Sequence, residues 1–238
     1  MSGWLDPLRA ALEESPATFF FRNDDVGWGD DLLRRLLDVF DRHAAPIDLA
    51  VIPSSLGERL AAELLGRCSA IGLHQHGFAH VNHEPEGRKC EFGPSRRGDE
   101  QRRDIAEGRR LLEQLLPDAL DPIFTPPWNR CTDDTGRALA DAGLLLSRES
   151  RARSLEVDGL EELAVRVDWF AHRKGVRLTR GELGARIAAE VRRGGPVGVM
   201  LHHAAMDADD RRAVGELLGV LGRGARVVRM TELVGAPA

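Results

Sequence analysis

Short apolar runs alternate with longer stretches whose apolar residues recur at helical spacing, and this pattern limits the possible folds more than any other feature. Runs at 18–22, 47–52, 70–73, 122–125, 144–146, 163–167, 197–201 and 225–229 read as strands. Between them, 31–43, 55–67, 99–116, 132–142, 181–193 and 208–221 read as helices, with a shorter one at 6–14. In 31–43 the residues Leu32, Leu33, Leu36, Leu37 and Phe40 share one face. Such alternation means repeated βαβ units and a parallel sheet covered by helices. Seven or eight strands fit a closed or nearly closed α/β barrel. The 238 residues suit one such barrel, and 42% hydrophobic residues supply its core. No linker, low-complexity segment or fixed-period repeat interrupts them, so residues 1–238 are expected to form a single domain.

Charge and cysteine content exclude several classes. A net charge of −5 leaves no basic face for a phosphate backbone, which argues against nucleic acid as a partner. Cys68, Cys90 and Cys131 are odd in number and form no CxxC pair, so free thiols are expected rather than a disulfide framework. No apolar run reaches bilayer length. The first residues lack a basic region followed by an apolar stretch, and a cytoplasmic protein is the expectation, although a chain trimmed of a signal would read the same.

Polar residues gather just after the strands. Asp24 and Asp25 follow the first, and His74, His76 and His80 the third. Pro126, Pro127 and Trp128 follow the fourth, Asp168 and Trp169 a later one, and His202 and His203 the run at 197–201. In parallel barrels the carboxyl ends of the strands line one mouth, where active sites form. The polar segment 84–98 reads as a long loop. His76 and His80 stand at i and i+4, and on a helical turn that spacing would put both imidazoles on one side. With a carboxylate from the Asp24–Asp25 pair they make a two-nitrogen, one-oxygen donor set that leaves coordination open for water. Zinc suits it best; cobalt, iron or nickel could take the same ligands.

The order FFRNDDVG, HGFAH, FTPPW, VRVDW and VMLHH, spanning about residues 18 to 205, resembles the five motifs of the polysaccharide deacetylases (NodB-like, carbohydrate esterase family 4). The resemblance implies a single distorted (β/α) barrel of about seven parallel strands and removal of the N-acetyl group from an amino sugar or short glycan. It implies Asp24 as general base, Asp25, His76 and His80 as ligands of one divalent metal ion, and His202 as the acid, oriented by Asp168. Trp128 would offer a backbone N–H to the oxyanion, and Pro127 would share its wall of the groove. The flat faces of Trp28, Trp128 and Trp169 would suit sugar rings. Three positions depart from the pattern. Gly77 replaces a Ser or Thr whose hydroxyl helps brace the loop. Thr125 replaces an Arg that holds the base, for which Arg22 or Arg166 could substitute. His203 follows His202 where Asp is common, so either histidine could be the acid. His74 and His83 are extra and could be supporting partners or alternative ligands. Two rival readings are an amidohydrolase of the same superfamily acting on a small cyclic amide, and a non-catalytic sugar-binding relative.

Overall fold

The computed structural model describes residues 3–67 and 70–234; Cys68 lies outside them. The strands are β1 (Ala17–Val26), β2 (Ile47–Val51), β3 (Ile71–His76), β4 (Leu120–Thr125), β5 (Leu145–Glu149), β6 (Glu162–Asp168), β7 (His172–Arg173), β8 (Val176–Arg177), β9 (Val197–His202) and β10 (Ala225–Val227). The helices are α1 (Asp6–Glu14), α2 (Asp30–Arg42), α3 (Glu58–Leu65), α4 (Gly98–Leu115), α5 (Asp133–Asp141), α6 (Arg180–Arg193) and α7 (Ala208–Gly224). Eight strands form one sheet in the order β10-β1-β2-β3-β4-β5-β6-β9, and β1 also pairs with β9. β1 to β6 with β9 thus make a barrel of seven parallel strands surrounded by helices, as expected. The run at 225–229 is not an eighth stave: β10 pairs only with Ala17–Phe19 at the start of β1. No helix among the described residues is long and apolar enough to cross a membrane.

The packing divides into two compact units. The first comprises the described residues up to Asn23, then Asp31–Asp48 and those from Val165 on; the second comprises Asp24–Asp30 and Leu49–Ala164. In the first unit, alternation along β1 sorts the side chains. Phe21 meets Phe40 of α2 edge-on at 5.2 Å, so the odd positions face the helices. The even positions face β9: a Cβ on Gly198 would overlap the Phe20 ring, and Arg22 Nη2 lies 3.1 Å from Met200 Sδ. Nearly all of β1 is buried, as a strand covered on both faces must be. In the second unit Phe92, Ile105, Phe124, Leu139 and Leu146 form the core between β4, β5, α4 and α5. Thr132 caps α5, accepting from Thr135 N–H.

Three local expectations need correcting. β1 does not stop before the aspartates but carries Asn23, Asp24 and Asp25 within it. β3 runs through His74 and His76, so the His76–His80 spacing is not set on a helix. A small antiparallel hairpin, β7–β8, was not expected; its turn residues Lys174 and Gly175 have φ of 51° and 80°, a pattern that fits a type I′ turn.

Candidate metal centre

Two adjacent residues of a regular strand point to opposite faces, so Asp24 and Asp25 could not both serve one site without a break in β1. The break is at Asp25, whose φ is 66°. This left-handed residue is followed by a turn closed by Trp28 N–H donating to the Asp25 carbonyl at 3.2 Å, with Gly27 at φ 115°. Asp25 Oδ1 then lies 3.2 Å from His76 Nε2 and 3.1 Å from His80 Nε2. Asp24, almost fully buried, exerts its charge on His76 as well.

His76 is the last residue of β3 and is held there. Its Nδ1 donates to the Thr125 carbonyl at 3.0 Å, in register across the β3–β4 pair, which leaves the Nε2 lone pair aimed at the site. Burial, the largest single influence, works against protonation of His76. The hydrogen bond to Asp25 and the charges of Asp24 and Asp25 outweigh it and hold the imidazole above its ordinary value. His80 returns to the same place through two left-handed residues, Gly77 and His80 itself, both at φ 57°. Its ring sits between Trp28 at 4.8 Å and Trp128 at 4.4 Å. Of the seven non-glycine residues with positive φ among the described residues, Asp25, His80, Trp128 and Asn129 belong to this one region. Unfavourable backbone conformations concentrated in this way mark a site that the surrounding structure has been built to hold.

The donor set fits a metal ion. The ligand atoms of Asp25, His76 and His80 lie within 4.8 Å of one another. Ligands bound tetrahedrally at about 2.0–2.1 Å would be roughly 3.3 Å apart, close to the two distances measured from Asp25. Of the extra histidines, His83 is exposed on the loop. His74 is buried, with Nε2 3.0 Å from Thr125 Oγ1. Neither belongs to the donor group.

The aromatic and proline positions divide in a way the sequence did not reveal. Trp28 is 40% exposed, and Trp128 is half-buried beside a cavity of about 650 Å³ that also meets Arg88, Arg130, Arg151, Glu86 and Glu149. Pro127 is buried, packed on Gly77 rather than lining an open wall. Trp169 is also not a sugar platform. It is 2% exposed, donates from Nε1 to Asp210 at 3.1 Å and packs edge-on against Trp4.

In the first unit, His203 is fully buried. Its Nδ1 lies 2.9 Å from Asn23 Nδ2, and its N–H donates to Asn23 Oδ1 at 3.0 Å. His202, at the end of β9, is half-buried and continues the side of Gly198 and Met200, with the Phe170 ring at 6.3 Å. Asp168 Oδ1 accepts from Phe170 N–H at 2.8 Å, fixing the turn that presents that ring. Arg166 is committed elsewhere, to the carbonyls of Gly194 and Pro196, and does not substitute for the missing Arg. Sequence reasoning missed Glu91, whose buried carboxylate accepts from the amides of Phe78, Ala79 and Val81.

No protein-family model matches the sequence, and no curated protein matches it. Solved structures do. A family 4 acetyl xylan esterase from Clostridium thermocellum, in complex with a cobalt ion, is 16% identical over 92% of this chain and 93% of its own, with a TM-score of 0.60. A family 4 carbohydrate esterase from Streptomyces lividans, in complex with acetate, is 14% identical over 94% and 96%, with a TM-score of 0.56. A CE4 family pseudoenzyme from Bacillus anthracis is 18% identical over 92% and 66%, with a TM-score of 0.57. The barrel of this chain is therefore the fold on which family 4 carbohydrate esterases are built.

Proposed function

We propose that this chain is a metal-dependent deacetylase that hydrolyses the N-acetyl group of an amino sugar or short glycan. The observation that carries the reading is the convergence of Asp25, His76 and His80 on one point, beside two tryptophans. A divalent ion there, zinc by preference and otherwise cobalt, iron or nickel, would polarise the acetyl carbonyl and acidify a water. Asp24, the neighbouring carboxylate, takes the proton of the attacking water as general base. The Trp128 N–H donates to the developing oxyanion. His202 gives a proton to the departing nitrogen, with Asp168 holding its orientation, so that acetate and a free amine leave. Trp28 and Trp128 offer apolar faces to a sugar ring, and the charged walls beside Trp128 suit its hydroxyl groups.

The test is metal content together with acetate release from N-acetylated mono- and oligosaccharides. Expected are one divalent ion per chain, its loss in His80→Ala, and acetate from at least one sugar. An ion retained at full stoichiometry by His80→Ala would refute the ligand assignment. A metal-loaded chain that releases no acetate but opens cyclic ureides would move the reading to the amidohydrolases. A chain that binds sugars without turnover would stand with the pseudoenzymes.

A further inference from the structure

We propose that Glu91 is the positioning residue of this metal centre, holding the turn 77–81 in the shape that returns His80 to His76. The inference rests on the metal reading above. His76 is fixed by its strand, whereas His80 reaches the site only through the left-handed residues Gly77 and His80. A short turn of this kind needs its amides satisfied from outside. Phe78 N–H donates to Glu91 Oε2 at 3.1 Å, and Ala79 and Val81 donate to Oε1 at 2.7 and 3.4 Å. Glu91 is 1% exposed, and a carboxylate so buried is sustained by donors such as these.

Glu91 is itself anchored. Cys90 N–H donates to Asn82 Oδ1 at 2.9 Å, His83 N–H to the Cys90 carbonyl at 3.0 Å, and Phe92 forms a β-bridge with Cys131. From the other side, Gln75 Nε2 donates to the Gly77 carbonyl at 2.9 Å and Ser54 N–H to the Phe78 carbonyl at 3.1 Å. The missing side chain at 77 is part of the device, because a Cβ there would overlap Glu91 Oε2. Without the carboxylate, three amides lose their acceptor and the turn relaxes. His80 then leaves Asp25 while His76 stays in place.

The test uses the full chain loaded with cobalt(II), read by its visible spectrum and by chelator competition. Wild type is compared with Glu91→Ala, Glu91→Gln and the control Glu84→Ala; Glu84 lies on the same loop but bonds Ser95. Glu91→Ala is expected to weaken cobalt binding about ten- to a hundredfold and shift the spectrum. Glu91→Gln, keeping the size and one acceptor oxygen, should fall between it and wild type, and Glu84→Ala should match wild type. Wild-type affinity and spectrum in Glu91→Ala overturn the inference, as does an equal loss in Glu84→Ala. If Glu91→Ala does not fold, unchanged binding by Glu91→Gln overturns it and weakened binding supports it. A wild-type chain that binds no cobalt overturns the metal reading and this inference with it, whereas binding by wild type and equally by Glu91→Ala overturns this inference alone.

Discussion

Replacing Gly77 with Ala tests how tightly the turn between the two histidines is packed. Gly77 has φ 57°, and a Cβ there would overlap Glu91 Oε2 and lie 2.6 Å from the Pro127 ring. The proline ring is buried and rigid, so the carboxylate has to give way. The backbone cost of placing an L-residue in this conformation is about 1 kcal/mol. Displacing Glu91 adds the cost of depriving buried amides of their acceptor, about 1–3 kcal/mol for each one left unpaired. The total is about 3 kcal/mol or more, or about 6–12 °C in Tm for a chain of this size. Gly87→Ala supplies the comparison: Gly87 has φ 81° with nothing within 4 Å of its Cβ position, so only the backbone cost of about 1 kcal/mol applies. The assay is urea denaturation of both variants in the presence of chelator, which keeps metal loss out of the difference. If the two variants agree within about 0.5 kcal/mol, the crowding argument around Gly77 is wrong.

Asp24→Asn should keep the metal and lose turnover by about a hundredfold or more, whereas Asp25→Asn should lose metal first; equal metal loss in both, measured by elemental analysis, would merge roles kept separate here. In the metal-free chain, the raised His76 value contributes stability that is fully present below the ordinary imidazole pKa and lost as pH rises through the folded one. Melting of the chelated chain should therefore fall as pH rises above the ordinary imidazole pKa while cobalt affinity rises, as the ion displaces that proton; parallel trends would contradict the raised value. Trp169→Phe should lower stability by about 1 kcal/mol through the lost Asp210 bond and leave KM unchanged, while Trp28→Ala should raise KM at little cost to Tm. Melting curves and substrate titrations of the two variants check this.

The barrel was legible because period and length suffice to tell a covered strand from an amphipathic helix, and boundaries moved by only a few residues. What alternation could not reveal was where it fails. Asp24 and Asp25 read as residues beyond the strand because the apolar run ends before them; the structure keeps them in β1 and turns Asp25 through a left-handed residue. The i, i+4 rule brought His76 and His80 together through a helix that is not there. Their convergence comes from β3, Gly77 and the Glu91 carboxylate. Glu91 left no sequence signal of its own, because a glutamate in a polar loop looks solvated until the amides it binds are placed. Trp169 misled for the opposite reason: its position after a strand resembled that of Trp128, and only packing against Trp4 and Asp210 tells them apart. The β7–β8 hairpin did leave a signal in Lys174-Gly175, masked by strands of two residues each.

Thr125 joins two histidines through different atoms: its carbonyl accepts from His76 Nδ1, and its hydroxyl lies 3.0 Å from His74 Nε2. Both His74 and Thr125 are fully buried. A change at either position therefore disturbs the other. An arginine at 125 would remove the hydroxyl from His74 and compete for the same closed space. An apolar residue at 74 would take that partner from the threonine hydroxyl. Substitutions at the two positions are therefore expected to be non-additive in stability.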